Sequence, residues 1–136
     1  MQVREIMTTR IVSVEPTSSV KDAALLMNRH NIGSVPVVDG TAVRGMITDR
    51  DIVLRCVAEN RDATTLKVSD VCSQGAVSVG PDQNVSDAIN LMSTEQVRRL
   101  PVVDNGRLVG MLSVADIARE NSGMELAEAI SDISMP

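Results

Sequence analysis

Two stretches of the chain set a glycine, a hydroxyl and a carboxylate at one spacing: Gly45-Met46-Ile47-Thr48-Asp49-Arg50-Asp51-Ile52 and Gly110-Met111-Leu112-Ser113-Val114-Ala115-Asp116-Ile117. Both have the form Gly-apolar-apolar-Thr/Ser-x-x-Asp-apolar. A hydroxyl that ends a strand and an Asp one helical turn later point to the same side of the helix start. Free backbone N–H groups there can take a phosphate, and the carboxylate can accept hydrogen bonds from a ribose diol. The plainer reading makes Thr48 and Ser113 simple N-caps, with Asp51 and Asp116 favouring the positive helix end. One copy alone leaves the plainer reading ahead. Two copies in register, each following a Pro-Val-Val-Asp segment, move the balance toward a ligand.

The elements that must position these residues are themselves repeated. From Val3 to Ile117 a single shift of 65 residues lays the second half on the first without a gap. Val12-Ser13-Val14 falls on Val77-Ser78-Val79, Pro36-Val37-Val38-Asp39 on Pro101-Val102-Val103-Asp104, and Asp51-Ile52 on Asp116-Ile117. Such self-similarity marks one structural unit used twice, which predicts two related clefts about a pseudo-two-fold axis.

Each copy predicts strand, helix, strand, strand, helix, an α/β (α+β) arrangement. A first strand covers Ile11–Val14 or Ala76–Val79, followed by Pro16 or Pro81. A helix capped within Thr17–Ser19 or Asp82–Asn84 then presents Val20, Ala23, Ala24 and Met27, or Val85, Ala88, Ile89 and Met92, and ends near Asn31 or Gln96. Strands Val35–Val38 and Val43–Thr48, or Leu100–Val103 and Leu108–Ser113, are joined by Asp39-Gly40 and Asp104-Asn105-Gly106, residues suited to tight hairpins. A second helix begins at Asp49 or Val114. The first repeat with its linker is set at residues 1–60, the second at 61–120 and a tail at 121–136. Val57–Leu66 reads as a polar linker, most solvated at Glu59–Asp62. In the tail, Ser122 with Glu125 has a capping-box pattern, and Leu126, Ala129, Ile130 and Ile133 share one face, expected to pack on the domain or on a second copy.

Composition narrows the function. With no Phe, Tyr or Trp the core must be aliphatic, and any bound ring must lie between aliphatic side chains and proline. The missing aromatics argue against a single-stranded nucleic-acid surface, and a net charge of -5 argues against a duplex one. DNA and RNA are therefore not expected partners. No apolar run approaches the roughly 20 residues that span a bilayer, and no signal pattern opens the chain, so a cytoplasmic location without membrane association is expected. Cys56 and Cys72 have no metal spacing and read as reduced, partly buried small hydrophobes.

Beyond these patterns, residues 3 to about 120 resemble the tandem cystathionine-β-synthase (CBS) domain pair, or Bateman module. Ile32–Asp39, Gly45–Ile52, Val97–Asp104 and Gly110–Ile117 carry the resemblance. It implies a small stand-alone prokaryotic module that binds an adenosine-containing ligand in clefts between the repeats. AMP, ADP or ATP leads, ahead of S-adenosylmethionine, NAD(H) or a cyclic dinucleotide, and no cofactor is required. By position, the resemblance joins Thr48, Arg50 and Asp51 to Ala76, Val77, Arg98, Arg99 and Pro101 in one cleft. It joins Ser113 and Asp116 to Arg10, Ile11, Val12, Ser34 and Pro36 in the other. In each, the Asp would hold the ribose, the Thr or Ser would meet the first phosphate, and the first strand with residues near the Pro would hold adenine. A flat homodimer, signalling to an unidentified regulated protein, is also implied.

The copies differ in charge. Arg98-Arg99 stand where the first repeat has Gly33-Ser34, and Asp49-Arg50 where the second has Val114-Ala115. Arginine meets phosphate with a planar fork and a permanent charge, so the cleft of Arg50, Arg98 and Arg99 is expected to bind the more phosphorylated ligand and the other to bind weakly or stay empty. The alternative for Arg98 and Arg99 is a surface pairing with Glu95 or Asp104, which would contribute only about 0–1 kcal/mol. Enzyme readings fare poorly: His30 is the only histidine, no Ser-His or Cys-His pairing is suggested, no metal site is read, and Asp51 and Asp116 belong to different clefts. A ligand-binding regulator leads, followed by a structural or partner-binding dimer without nucleotide, then by an enzyme needing a second chain.

Overall fold

Hydrogen bonding at the chain's first residues shows how the two copies are built. In the computed structural model, which describes residues 1–120 and 123–133, the backbone divides into two units. One is Val12–Ala76 and the other joins Met1–Ile11 to Val77–Pro136. Val3 donates its N–H to the carbonyl of Gln83 at 2.9 Å and Arg4 to that of Pro81 at 2.9 Å. Their repeat-mates do the same in the other unit, Val68 to Ser18 at 2.8 Å and Ser69 to Pro16 at 3.0 Å. The leading segment of each sequence repeat is thus built into the body of the other, and the units cut across the 1–60 and 61–120 boundaries read from sequence. A linear pattern reveals which residues repeat but not which copy their backbone bonds will join.

In the Val12–Ala76 unit, α1 (Val20–His30) starts at Ser19, whose hydroxyl accepts from the N–H of Asp22 at 3.1 Å. It ends at Asn31 with φ 52°, a left-handed C-cap that Asn tolerates. Strands β1 (Ser34–Asp39) and β2 (Ala42–Thr48) form an antiparallel hairpin. β2 runs into α2 (Asp49–Ile52), which continues as one π-helical turn, Val53–Val57. The outer edge of β2 is paired by β3 (Ser73–Gln74).

The other unit repeats this plan with α3 (Val85–Glu95), β4 (Arg99–Asp104), β5 (Arg107–Ser113) and α4 (Val114–Arg119), and adds α5 (Gly123–Ile133). Here Thr8 takes the role of β3, exchanging two backbone hydrogen bonds with Met111 at 2.8 and 2.9 Å. Asn105 and Gly106 carry the successive positive φ values, 52° and 77°, that a type I′ hairpin turn needs. At α3 the N-cap residue Asn84 makes no side-chain capping bond, so of the two expected caps only that of α1 is closed by a side chain.

The expected first strands at Ile11–Val14 and Ala76–Val79 do not form; each is reduced to a single parallel bridge, Val14 to Val37 and Val79 to Val102. Proline explains the shortening. Val14 donates to the carbonyl of Pro36 at 3.1 Å and accepts from Val38 at 2.8 Å. The next rung would need an N–H from Pro36, which has none. Pro101 stops the copy at Val79 in the same way, with bonds of 3.1 and 2.8 Å.

Both cores are aliphatic, one around Val20, Val35, Val37, Ile47 and Val68, the other around Val3, Ile89, Leu100, Leu112 and Ile117. Cys56 and Cys72 are buried free thiols, more enclosed than the partial burial expected from sequence. Glu59–Asp62 are exposed, but Leu66 is core and its carbonyl accepts from Val20 at 2.9 Å, so the linker ends against α1. In the tail, α5 docks on α3 through Ser93 to Asp132 at 2.5 Å and Gln96 to the Asp132 carbonyl at 3.0 Å. Ile133 packs on the core while Ile130 is 40% exposed, so the expected apolar face is only partly used. Ser122, expected to cap this helix, lies outside the described residues, as do the side chains of Glu125, Leu126 and Ala129.

Close packing of β3 and of Thr8 explains the motif glycines. A Cβ on Gly45 would collide with the Ser73 carbonyl, and one on Gly110 would stand 2.8 Å from Met7 Sδ and 3.1 Å from the Thr8 carbonyl. Backbone cannot yield as a flexible methionine can. Gly45→Ala is therefore expected to destabilise by roughly 1–3 kcal/mol and Gly110→Ala by less, read as the order of urea midpoints in equilibrium unfolding.

Candidate functional site

At the end of β2 the backbone of Thr48 is still extended, with φ -116° and ψ 162°, and the helix begins at the next residue. The Thr48 hydroxyl accepts from the N–H of Asp51 at 3.0 Å, and Asp51 Oδ2 accepts from the N–H of Thr48 at 2.9 Å. Ser113 and Asp116 make the same reciprocal pair at 3.1 and 2.9 Å. The plainer reading of these residues as caps is thus realised in both copies, yet it does not exhaust them. Each hydroxyl still has its proton to donate, and each carboxylate has a second oxygen.

The expected free N–H groups are mostly taken. Asp49 donates to the Gly33 carbonyl at 2.9 Å, Arg50 to Asp49 Oδ1 at 2.8 Å and Asp51 to Thr48. In the copy, Val114 donates to the Arg98 carbonyl at 3.0 Å and Asp116 to Ser113. At the first junction the first-turn donors are all spent on the hairpin and the cap, so a phosphate there is left to side chains, while in the copy Ala115 N–H keeps no partner among the described residues.

The two carboxylates differ in what reaches their second oxygen. Among the described residues no donor meets Asp51 Oδ1, and Asp51 is partly exposed. Asp116 is only 5% exposed, and its carboxylate is approached by Thr8 Oγ1 at 3.4 Å and paired with the Arg119 guanidinium. Beside Asp51, burial pushes the Cys72 thiol above its ordinary range, and the charge of Asp51 adds to the rise.

Thr48, Arg50 and Asp51 come together at one junction, with Ser34 opposite Thr48 in the β1–β2 register. Ser113 and Asp116 come together at the other, with Arg99 opposite Ser113 in the β4–β5 register. Arg50, Arg98 and Arg10 are exposed, Arg99 and Ser34 are half-buried, and Pro36 and Pro101 are buried. Ile11, Val12, Ala76 and Val77 are half-buried and lie outside any strand. Among the described residues neither Arg98 nor Arg99 forms an ion pair, so the pairing with Glu95 or Asp104 is not made. His30 is exposed at the end of α1. Ser13, Glu15, Asp22, Leu25, Leu26 and Arg29 line a groove of about 430 Å³ beside α1, which none of the expected site residues lines. Sequence reasoning missed Thr8 and Arg119. Their signal was available in the repeat, which sets Thr8 against Ser73 and Arg119 against Leu54.

The CBS domain family model matches residues 3–57 and 68–123, and the chain belongs to this family, as two CBS domains in tandem. Paired CBS domains are regulatory modules. The chain is 43% identical over 133 residues to the CBS domain-containing protein YhcV of Bacillus subtilis, covering 97% of this chain and 94% of that one. Its fold matches the crystal structure of hypoxic response protein I with two coordinated zinc ions at a TM-score of 0.82, with 34% identity over 88% of this chain and 98% of that one. It also matches the CBS domain pair of protein MJ0100 in complex with 5′-methylthioadenosine and S-adenosyl-L-methionine, at a TM-score of 0.79, with 26% identity over 88% and 98%. Among the described residues no cluster of three or more His, Cys, Asp or Glu is placed to hold a metal, and no helix is long and apolar enough to cross a membrane.

The unequal carboxylates have a consequence for stability. Removing Asp116 takes away a buried cap, whereas removing Asp51 takes away only a half-exposed one. Asp116→Ala is expected to cost about 2–3 kcal/mol and Asp51→Ala about 1 kcal/mol, measured by urea unfolding at pH 7.

Proposed function

We propose that the chain is a regulatory module that binds an adenosine-containing nucleotide of the AMP, ADP or ATP class and passes the signal through its own dimer or a partner protein. The observation that carries this reading is the open second oxygen of Asp51, held in place by the reciprocal cap to Thr48. A ribose diol brings two O–H donors, and a carboxylate with a free oxygen accepts them. The Thr48 O–H donates to the first phosphate. The residues assigned to the ligand are Thr48, Arg50, Asp51, Ala76, Val77, Arg98, Arg99 and Pro101, with the three arginines neutralising phosphate charge. The weaker set is Arg10, Ile11, Val12, Ser34, Pro36, Ser113 and Asp116.

The adenosine ligands of the MJ0100 CBS pair support the ligand class. They also favour a second reading, S-adenosylmethionine, which would use the same Asp51 and Thr48. Charge favours the phosphorylated ligands: S-adenosylmethionine carries two cationic groups and one carboxylate, a net positive charge set against the arginines assigned to this site.

Thermal unfolding followed with an external dye tests the proposal, since the chain has no Trp or Tyr. A panel of AMP, ADP, ATP, S-adenosylmethionine and NAD(H) is expected to give stabilisation by at least one phosphorylated adenosine, as mass action requires of anything that binds only the native state. That shift is lost in Asp51→Ala and weakened in Arg99→Ala. No shift with any ligand at millimolar concentration would instead favour a partner-binding dimer without nucleotide.

A further inference from the structure

The two junctions share one cap and differ in what fills it. Asp51 keeps an oxygen open among the described residues, while Asp116 accepts from the Ser113 N–H at 2.9 Å, from Thr8 Oγ1 at 3.4 Å and from the Arg119 guanidinium. The repeat supplies the control. Leu54, which corresponds to Arg119, is apolar and exposed, and Ser73, which corresponds to Thr8, lies in β3. The caps have the same backbone geometry, so the difference arises beyond them: Arg119 lies in a regular α-helix where Leu54 lies in the π-helical turn, and Thr8 stands where the first copy has Ser73.

We propose that Arg119 is a built-in competitor: its guanidinium holds the carboxylate of Asp116 where the first junction leaves Asp51 open to a ribose diol, so the chain takes one adenosine ligand, at Asp51. This rests on the adenosine-binding reading above. The competition is unequal because both donors meet the same ionised acceptor, but only the guanidinium adds the attraction of a full positive charge. Arg119 also acts from within the chain, three residues along α4, so it needs no association step. Thr8 adds a second, longer contact from the segment that pairs with β5. Yet the Arg119 side chain is 68% exposed, so it is held by the carboxylate and not by the core. Replacing it leaves the fold intact and opens the second junction.

Equilibrium dialysis of the full chain against AMP, up to millimolar concentration, tests this. The wild type is compared with Arg119→Leu, which restores the first repeat's residue, and with Arg119→Gln. Folding of each variant is checked by circular dichroism, and the second variant serves where the first does not fold. The expected result is one AMP per wild-type chain, lost in Asp51→Asn, and two per chain in the Arg119 variants, the second lost on adding Asp116→Asn. One AMP per chain in wild type and variants alike would overturn the competitor role and leave the Asp51 reading standing, as would two AMP per wild-type chain. No binding by the wild type, but one Asp116-dependent site in the variants, would uphold the competitor and overturn the Asp51 reading. No binding by any of them would overturn both.

Discussion

The reciprocal hydrogen bonds between Thr48 and Asp51, repeated by Ser113 and Asp116, set the conditions for everything else at the two junctions. They stop a strand and start a helix within one peptide, and they orient a carboxylate by holding one of its oxygens against the backbone. A side chain so held has a single oxygen left to offer, and its direction is fixed before any ligand arrives. That is the preorganisation a binding site needs, because a carboxylate ordered by its own fold has already lost the freedom that binding would remove. The same bond also uses N–H groups that a phosphate would otherwise find, so in the proposed reading arginine side chains meet the phosphate charge.

Around this bond the chain closes its small sheets by exchange. Val3–Thr8 completes the unit of the second repeat, and Val68–Gln74 completes that of the first, each lying over a glycine of the motif. Gly45 and Gly110 are thus residues of close approach. Thr8 reaches Asp116 only because its backbone is paired to Met111 beside Gly110. Exchange in this form ties the fate of each junction to a segment that sequence order assigns to the other repeat.

Much of this was legible beforehand. The hairpins, the helix faces and the junction residues followed from apolar periodicity, turn residues and the shift of 65 residues. Three things were not. The first strands shrank to single bridges because Pro36 and Pro101 lack the donor for the next rung, a matter of which strand edge each proline faces. The leading segments changed units because repeat similarity says nothing about which copy a backbone bond joins. Thr8 and Arg119 escaped notice because they lie outside the motif, where only the mismatch with Ser73 and Leu54 betrays them. The alternative pairing of Arg98 and Arg99 with Glu95 or Asp104 is not made among the described residues.

Asp51 and Asp116 share a motif and a cap geometry and differ in the donors that reach their second oxygen. Backbone amide chemical shifts of the ¹⁵N-labelled chain, followed through a titration with AMP, address that difference residue by residue. Saturable shifts are expected at Thr48–Asp51 while Ser113–Asp116 stay still. Shifts of equal size at both junctions, or shifts confined to Ser113–Asp116, would contradict this.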